Sequence, residues 1–226
     1  VLAKLGKKVT VLEALPRVSN LTAQVEDHAH AEIEGVEALG ARLIACCEPD
    51  YPPLLAQLDA PPPVLAVRGD PKWLKRPTIA IVGSREGSGS ALMFAERIAA
   101  DLGQAGFTIV SGLARGVDAA AHRGALTTGT VGVLAGGLDH PYPPQNLKLH
   151  DALCEQGAVV TEAPLGSVPR ARDFSRRNSI ISGVSRAGVI IEAALRAGSL
   201  STARAAADQG RDVMAAPGSP LDPRAR

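Results

Sequence analysis

From Val64 onward the chain alternates short β-branched or apolar runs with longer runs of helical character, and this alternation narrows its fold more than any other feature. The candidate strands are Val64–Val67, Ile79–Val82, Thr108–Val110, Val131–Leu134, Ala158–Thr161, Val189–Ile191 and Val213–Ala215. Candidate helices between them include Ala91–Leu102, Val117–Leu126, Leu147–Glu155 and Ser201–Ala207. Strands joined by helices of this length run parallel, because only a crossover returns the chain to the end where it started. The pattern predicts an α/β domain built on a doubly wound, largely parallel sheet with helices on both faces. Ligands of such sheets sit beyond the carboxyl ends of the strands, where successive connections diverge. The loops that follow the strands are therefore the places to look for function.

The region before Val64 reads differently. Residues 21–39 predict a helix, with Leu21, Val25, Ile33, Val36 and Leu39 near helical spacing, and Arg42–Ala45 predicts a short strand. Pro49, Pro52, Pro53 and Pro61–Pro63 lack N–H donors, so that stretch is expected to be extended or turning and to act as a linker-like boundary. Residues 1–50 are accordingly expected to form a helical and strand segment leading into a core of residues 51–226. The chain opens on Val1 and stops after the turn-forming Pro217-Gly218-Ser219-Pro220, so flanking domains are expected outside it.

Composition removes several classes. With 226 residues, 46% of them hydrophobic, the chain can bury one sizeable core. No apolar run approaches the ~20 residues of a membrane span, and no signal-peptide pattern is present. Cys46 and Cys47 are adjacent and Cys154 is far away, a spacing that fits neither a disulfide framework nor a zinc site. A cytoplasmic protein without a metal is expected. Residues 1–63 carry five Lys/Arg against nine Asp/Glu, whereas residues 64–226 carry nineteen against fourteen, so the basic excess accompanies the α/β region.

Four segments carry the candidate chemistry. Gly83-Ser84-Arg85-Glu86-Gly87-Ser88-Gly89-Ser90 follows a strand and opens a helix, a setting in which backbone N–H groups and the helix dipole attract an anion. Arg85 adds a guanidinium suited to phosphate. Ser111-Gly112-Leu113-Ala114-Arg115-Gly116-Val117-Asp118 repeats the arrangement after the next strand, with Asp118 fitting an N-cap better than a catalytic acid. His122 lies on the same helix face, but no Ser or Cys nucleophile accompanies it. The third segment runs from Gly136 to Asn146, where Tyr142 offers either a stacking ring or packing, and Lys148 follows on a helix. The fourth, Arg170 to Arg186, holds five arginines and one acidic residue around Phe174. Arginines that neutralise phosphates, beside a ring that can stack on a base, describe a nucleic-acid contact; a solvated basic helix face with Phe174 in the core is the alternative.

The glycine spacing is not that of a dinucleotide site, and the second strand ends in Ser111-Gly112 where an acidic residue would hold a ribose. No P-loop pattern occurs either. Aromatic residues make up only 3% of the chain, so affinity for a nucleic acid would come mainly from phosphate contacts and be tolerant of sequence.

Taken together, Ile81-Val82-Gly83-Ser84-Arg85, the run from Ser111 to His122, Gly136-Gly137-Leu138-Asp139 with Tyr142-Pro143 and Asn146, and Arg177-Asn178 with Ile180-Ile181-Ser182-Gly183 resemble the DNA-processing protein A family, also called DprA or Smf. Glu192, Gly198-Ser199, Thr202-Ala203, Gly210-Arg211 and Ala216-Pro217-Gly218 continue the resemblance, which extends from about Tyr51 to the end. It implies an extended Rossmann-like fold that binds single-stranded DNA in a basic pocket, forms a homodimer and loads the recombinase RecA during natural transformation. It implies no cofactor and no catalytic residue. Carried over by position, the DNA-contacting set is Gly83, Ser84, Arg85, Gly112, Arg115, Asn146, Lys148, Arg172, Phe174, Arg176, Arg177 and Asn178. A small helical domain before the core and a winged-helix-like one after it are also implied, outside this chain.

Ser175 and Ser179 depart from the family, which usually has Pro and Arg at those places; Arg176 stands beside the lost arginine. The rival reading is an enzyme similar to the cytokinin-activating phosphoribohydrolases, which cleave nucleoside monophosphates. Ala135-Gly136-Gly137-Leu138-Asp139 occupies the place of their glycine motif without its Thr and Glu, so the carboxylate that hydrolysis needs is missing.

Overall fold

The computed structural model describes residues 19–194 and 197–217. In chain order the elements are α1 (Ser19–Ala38), β1 (Ala41–Ala45), β2 (Val64–Gly69), β3 (Thr78–Gly83), α2 (Gly89–Gln104), β4 (Thr108–Ser111), α3 (Val117–Ala125), β5 (Thr130–Val133), α4 (Leu147–Gln156), β6 (Ala158–Thr161), α5 (Asp173–Gly183), β7 (Ala187–Ile191), α6 (Gly198–Asp208) and β8 (Asp212–Ala215). They build one sheet in the order β1-β2-β6-β5-β4-β3-β7-β8. Gly218, the last residue of the family-like motifs, lies outside the described residues, as do residues 1–18.

The six strands from β6 across to β8 are parallel, as the alternation of strands and helices predicts. In the five from β6 to β7 the residues alternate between two buried faces, whereas β8 is exposed along its length. Ile79, Ile81 and Ile109 point to a layer made by α2 and α3, whose contacts are largely alanine. Val82, Val110, Val131, Val133 and Val160 point the other way, to Ile180 and Ile181 of α5 and to Val184 just after it. Burial on both faces is why these strands read as continuous apolar runs. Small residues let α2 and α3 approach closely: a Cβ on Gly124 would stand 2.1 Å from the Glu96 carbonyl oxygen.

β1 and β2 break the parallel pattern. β1 is antiparallel to β2, and β2 is antiparallel to β6. The chain leaves β2 through a short 3-10 turn at Pro71–Leu74, too little chain for a helical crossover, so the next strand runs the opposite way. The proline-rich stretch is not a linker between separate bodies. It joins two strands of the same sheet, Leu55 within it is fully buried against the α5 layer, and the Arg211 guanidinium donates to the Leu54 carbonyl at 3.0 Å.

Residues 173–183 of the basic stretch form a helix, α5, that the apolar pattern alone does not reveal. Its inward positions include Arg177 and Asn178 as well as Ile180 and Ile181. Among the described residues, no helix is long and apolar enough to cross a membrane.

Candidate functional site

After β3 the chain crosses through α2 to β4 on one side, whereas β7, arriving from β6 through α5, lies on the other side. The connections therefore diverge between the carboxyl ends of β3 and β7. Here Gly83 is pressed against the next strand, since a Cβ on it would meet the Ile191 carbonyl at 2.0 Å. Ser88 caps α2 by accepting from the Ala91 N–H, and its own N–H donates to the Glu192 carboxylate at 2.7 Å. Leu113, just after β4, and Glu192, just after β7, have positive φ values of 57° and 51°. Non-glycine residues hold that conformation at a cost when surrounding contacts impose it, a pattern common at functional sites.

Phe174, in the first turn of α5, is the centre of this edge. The Arg85 guanidinium lies 5.5 Å from its ring centroid and that of Arg177 lies 5.6 Å away. Tyr142 meets the same ring edge-on at 6.2 Å. Phe174 also separates two clefts. One, of about 380 Å³, lies between the Gly83–Glu86 loop, α5 and the start of α6. The other, of about 250 Å³, is lined by Arg85, Gly112, Arg115, Tyr142 and Arg177. A half-buried ring with two guanidinium groups within 6 Å of its centre is a platform that can stack a base while its neighbours neutralise phosphate.

Beneath this platform lies a buried polar cluster. Arg177 is only 6% exposed, and its Nε and Nη1 atoms have no hydrogen-bond partner among the described residues. Its guanidinium passes so close to Gly112 that a Cβ there would stand 1.2 Å from Nη1, and the Asp118 carboxylate lies at the same glycine. Burial raises the Asp118 pKa, opposed by Arg177 and by backbone N–H groups. Burial likewise depresses that of Arg177, opposed by Asp118. His122 is fully buried and its Nδ1 lies 2.7 Å from Thr130 Oγ1. Burial first, and then the field of Arg177, pushes its pKa down to about 3.

Asp118 does not cap α3. The N-cap position belongs to Gly116, and the Asp118 carboxylate instead accepts from the Gly112 and Ala114 N–H groups at 3.2 and 3.3 Å. It thereby holds the β4 loop closed. One of its oxygens is occupied by amides, which leaves it poorly placed to act as a general base.

The structure distributes the family-implied residues unevenly. Gly83, Ser84, Arg85, Gly112, Arg115, Phe174, Arg177 and Asn178 come together around the two clefts. Asn146 and Asn178 spend their amide groups inside the protein. Asn146 Nδ2 donates to the carbonyls of Leu113 and Ala114, whereas Asn178 Nδ2 donates to the Gly198 carbonyl and to Ser201 Oγ at 2.6 Å. Arg172 and Arg176 turn to a neighbouring cavity of about 430 Å³, where Arg176 pairs with Glu162 at 3.2 Å and Arg172 with Asp173 at 3.7 Å. Lys148 is exposed in the first turn of α4 and lines neither cleft at Phe174. Arg186 lies at the opposite end of the sheet, just before β7. Ser199 and Thr202, in α6, are cleft residues that the reading of individual residues does not single out; their spacing of three at a helix start is the only local signal.

A family model described as DNA recombination-mediator protein A matches residues 42–226. The chain belongs to this family. Among curated relatives, it is 41% identical to Protein Smf of Synechocystis over 179 residues, or 76% of this chain and 45% of that protein. It is 44% identical to Protein Smf of Escherichia coli over 171 residues, covering 74% of this chain and 46% of the other. It thus spans about half the length of these relatives. Among solved structures, DprA of Streptococcus pneumoniae superposes with a TM-score of 0.80 at 36% identity, covering 88% of this chain and 69% of that one. DprA of Helicobacter pylori, described by its single-stranded DNA binding mode, gives 0.75 at 29% identity, covering 80% and 83%. These neighbours share the Rossmann-like sheet of this chain.

Proposed function

We propose that this chain is the single-stranded DNA-binding core of a recombination mediator and that it performs no chemistry on the strand. The observation that carries this reading is Phe174 with the Arg85 and Arg177 guanidinium groups 5.5 and 5.6 Å from its ring centroid, at the mouths of two adjoining clefts. Unstacked bases reach such a ring, whereas bases paired within a duplex are stacked on one another and do not. Arg85, exposed, and Arg115 supply phosphate contacts on the side of the β3 and β4 loops. Arg172 and Arg176 extend the basic surface, and Lys148 adds a further cation. Asn146 and Asn178 act by holding loops rather than by direct contact. Membership of the family and the similarity to the H. pylori protein support the choice of ligand. Homodimer formation, loading of RecA and a cytoplasmic role in DNA uptake belong to this reading through the family alone.

The test is anisotropy of a fluorescent strand of about 20 nucleotides and of its duplex across a salt series. A salt-sensitive preference for the single strand is expected. Equal affinity for the duplex would overturn the reading, and sustained release of free base from a nucleoside monophosphate would replace it with the phosphoribohydrolase one.

A further inference from the structure

The end of the sheet opposite Phe174 carries a second group of cations, one of which, Arg186, belongs to the basic stretch but not to the site. The segment from Asp70 to Pro77, between β2 and β3, crosses beneath the amino ends of the strands. The Asp70 N–H donates to the Gly157 carbonyl just before β6, Trp73 packs against Gly129 just before β5, and the Pro77 carbonyl accepts from the Thr108 N–H at the start of β4. The Arg186 N–H donates to the Thr78 carbonyl at the start of β3, which sets Arg186 at the foot of β7. With neighbouring strands ~4.8 Å apart, the row from Trp73 to Arg186 runs about 14 Å.

Trp73 holds two of these cations. Lys72 Nζ lies 4.9 Å from its ring centroid and the Arg76 guanidinium 5.0 Å. A Cβ on Gly129 would stand 2.3 Å from the indole, so the ring is seated and steadies the cations beside it. Arg76 is fixed further by donating to the Thr128 and Gly106 carbonyls at 3.1 and 2.8 Å. Carbonyls answer its hydrogen bonds but not its charge. Arg186 is exposed and pairs with no carboxylate among the described residues. Two carboxylates do stand nearby, Asp70 on Lys72 at 2.6 Å and Asp50 on Lys75. Both pairs are exposed, and such pairs contribute so little that a polyanion can exchange with them.

A row of positioned cations suits a chain of regularly spaced charges better than a single ion. We infer that the amino ends of β5, β4, β3 and β7 carry a second phosphate track, formed by Lys72, Arg76 and Arg186 with Trp73 as their support, for the sugar–phosphate backbone of a strand whose other part lies at Phe174. The inference rests on the strand-binding reading. β3, with six residues, spans about 20 Å from edge to edge, whereas twenty nucleotides span about 70 Å even at the stacked spacing of ~3.4 Å each. A strand of that length has chain to spare for the far edge. Because the indole is seated on Gly129, contact there is with phosphates rather than by stacking.

Trp73 is the one tryptophan of the chain, so its emission reports on this track alone. The experiment follows anisotropy and Trp73 emission together while strands of about 6 and about 40 nucleotides are titrated into the intact chain across a salt series. The long strand is expected to change the emission, and the short one, though bound, to leave it as it was. Lys72→Ala combined with Arg186→Ala is expected to lower the salt slope of the long strand by about 1.4, at ~0.7 per phosphate on a single strand, with short-strand binding intact. If both strands bind with one slope, and neither length nor the double variant alters emission or slope, the inference is overturned while strand binding stands. An emission change produced by an oligoglutamate peptide and not by the long strand also overturns it, and gives the surface to an acidic protein partner. If the short strand fails to bind, and the long one still changes the emission with an affinity indifferent to Phe174→Ala, the track stands and the strand-binding reading at Phe174 fails.

Discussion

The margin and the centre of the sheet show how differently one chain uses similar strands. At the β1–β2 margin, strands meet antiparallel, and Leu43, Ala66 and Val159 simply close a core under α1 and α4. Between β3, β4 and β7 the strands are parallel, and each ends in a loop that opens a helix. Only the second arrangement brings several strand ends, helix starts and backbone amides to a single edge. The margin therefore supplies stability, and the parallel centre supplies a site whose buried charges cost stability to hold.

That contrast makes predictions of decreasing size. Arg177→Leu removes the partner of the buried Asp118 and is expected to cost about 3–5 kcal/mol of unfolding free energy as well as strand binding, with Asp118→Asn in the same chain restoring part of the stability but not the binding. A single variant that stays fully stable would show that the centre is not held by this pair. At the margin, Leu43→Ala is expected to cost about 2–5 kcal/mol in denaturant unfolding with strand affinity unchanged; a matching loss of affinity would erase the distinction between the two regions. Phe174→Ala is expected to weaken strand binding by about 1–3 kcal/mol while leaving the unfolding midpoint nearly in place.

The buried histidine sharpens the comparison through pH. Its pKa falls from 6.5 to about 3 on folding, so the unfolded chain binds more protons between those values. The stabilisation is complete above the unfolded value and is lost as pH falls through that window, by about 1.4 kcal/mol per unit from this group. His122→Asn is expected to flatten this slope in urea unfolding between pH 7 and pH 5. The smallest effect is at the rim. Arg85→Ala is expected to reduce the slope of log affinity against log salt by about one phosphate contact, and an unchanged slope would remove Arg85 from the interface.

Much of this was legible beforehand. Ile79–Val82 and Val131–Leu134 announce themselves because strands buried on both faces are apolar throughout. The direction of β2 was not legible, since Val64–Val67 has the same composition whichever way it pairs. Nor was the packing of Leu55 and Tyr51 beneath α5, because proline-rich sequence looks alike in a linker and in a fitted core strap. At the site, Arg85 and Phe174 were found from their loop and their basic surroundings. That Arg177 reaches both clefts at Phe174 while Arg172 and Arg176 line only the neighbouring cavity was invisible, as three arginines in one short stretch read as one basic face.

The sequence by itself determined the order of the strands and of the helices other than α5, the anion-competent loops and the family, because these depend on local pattern and on motifs read along the chain. Tertiary structure alone decided that Arg177 is buried, that Asp118 closes a loop instead of capping a helix, and that Ser199 lines the same cleft from further along the chain. Whether a polar side chain is exposed, satisfied or left waiting for a partner depends on what packs opposite it, and that neighbour comes from a distant part of the chain.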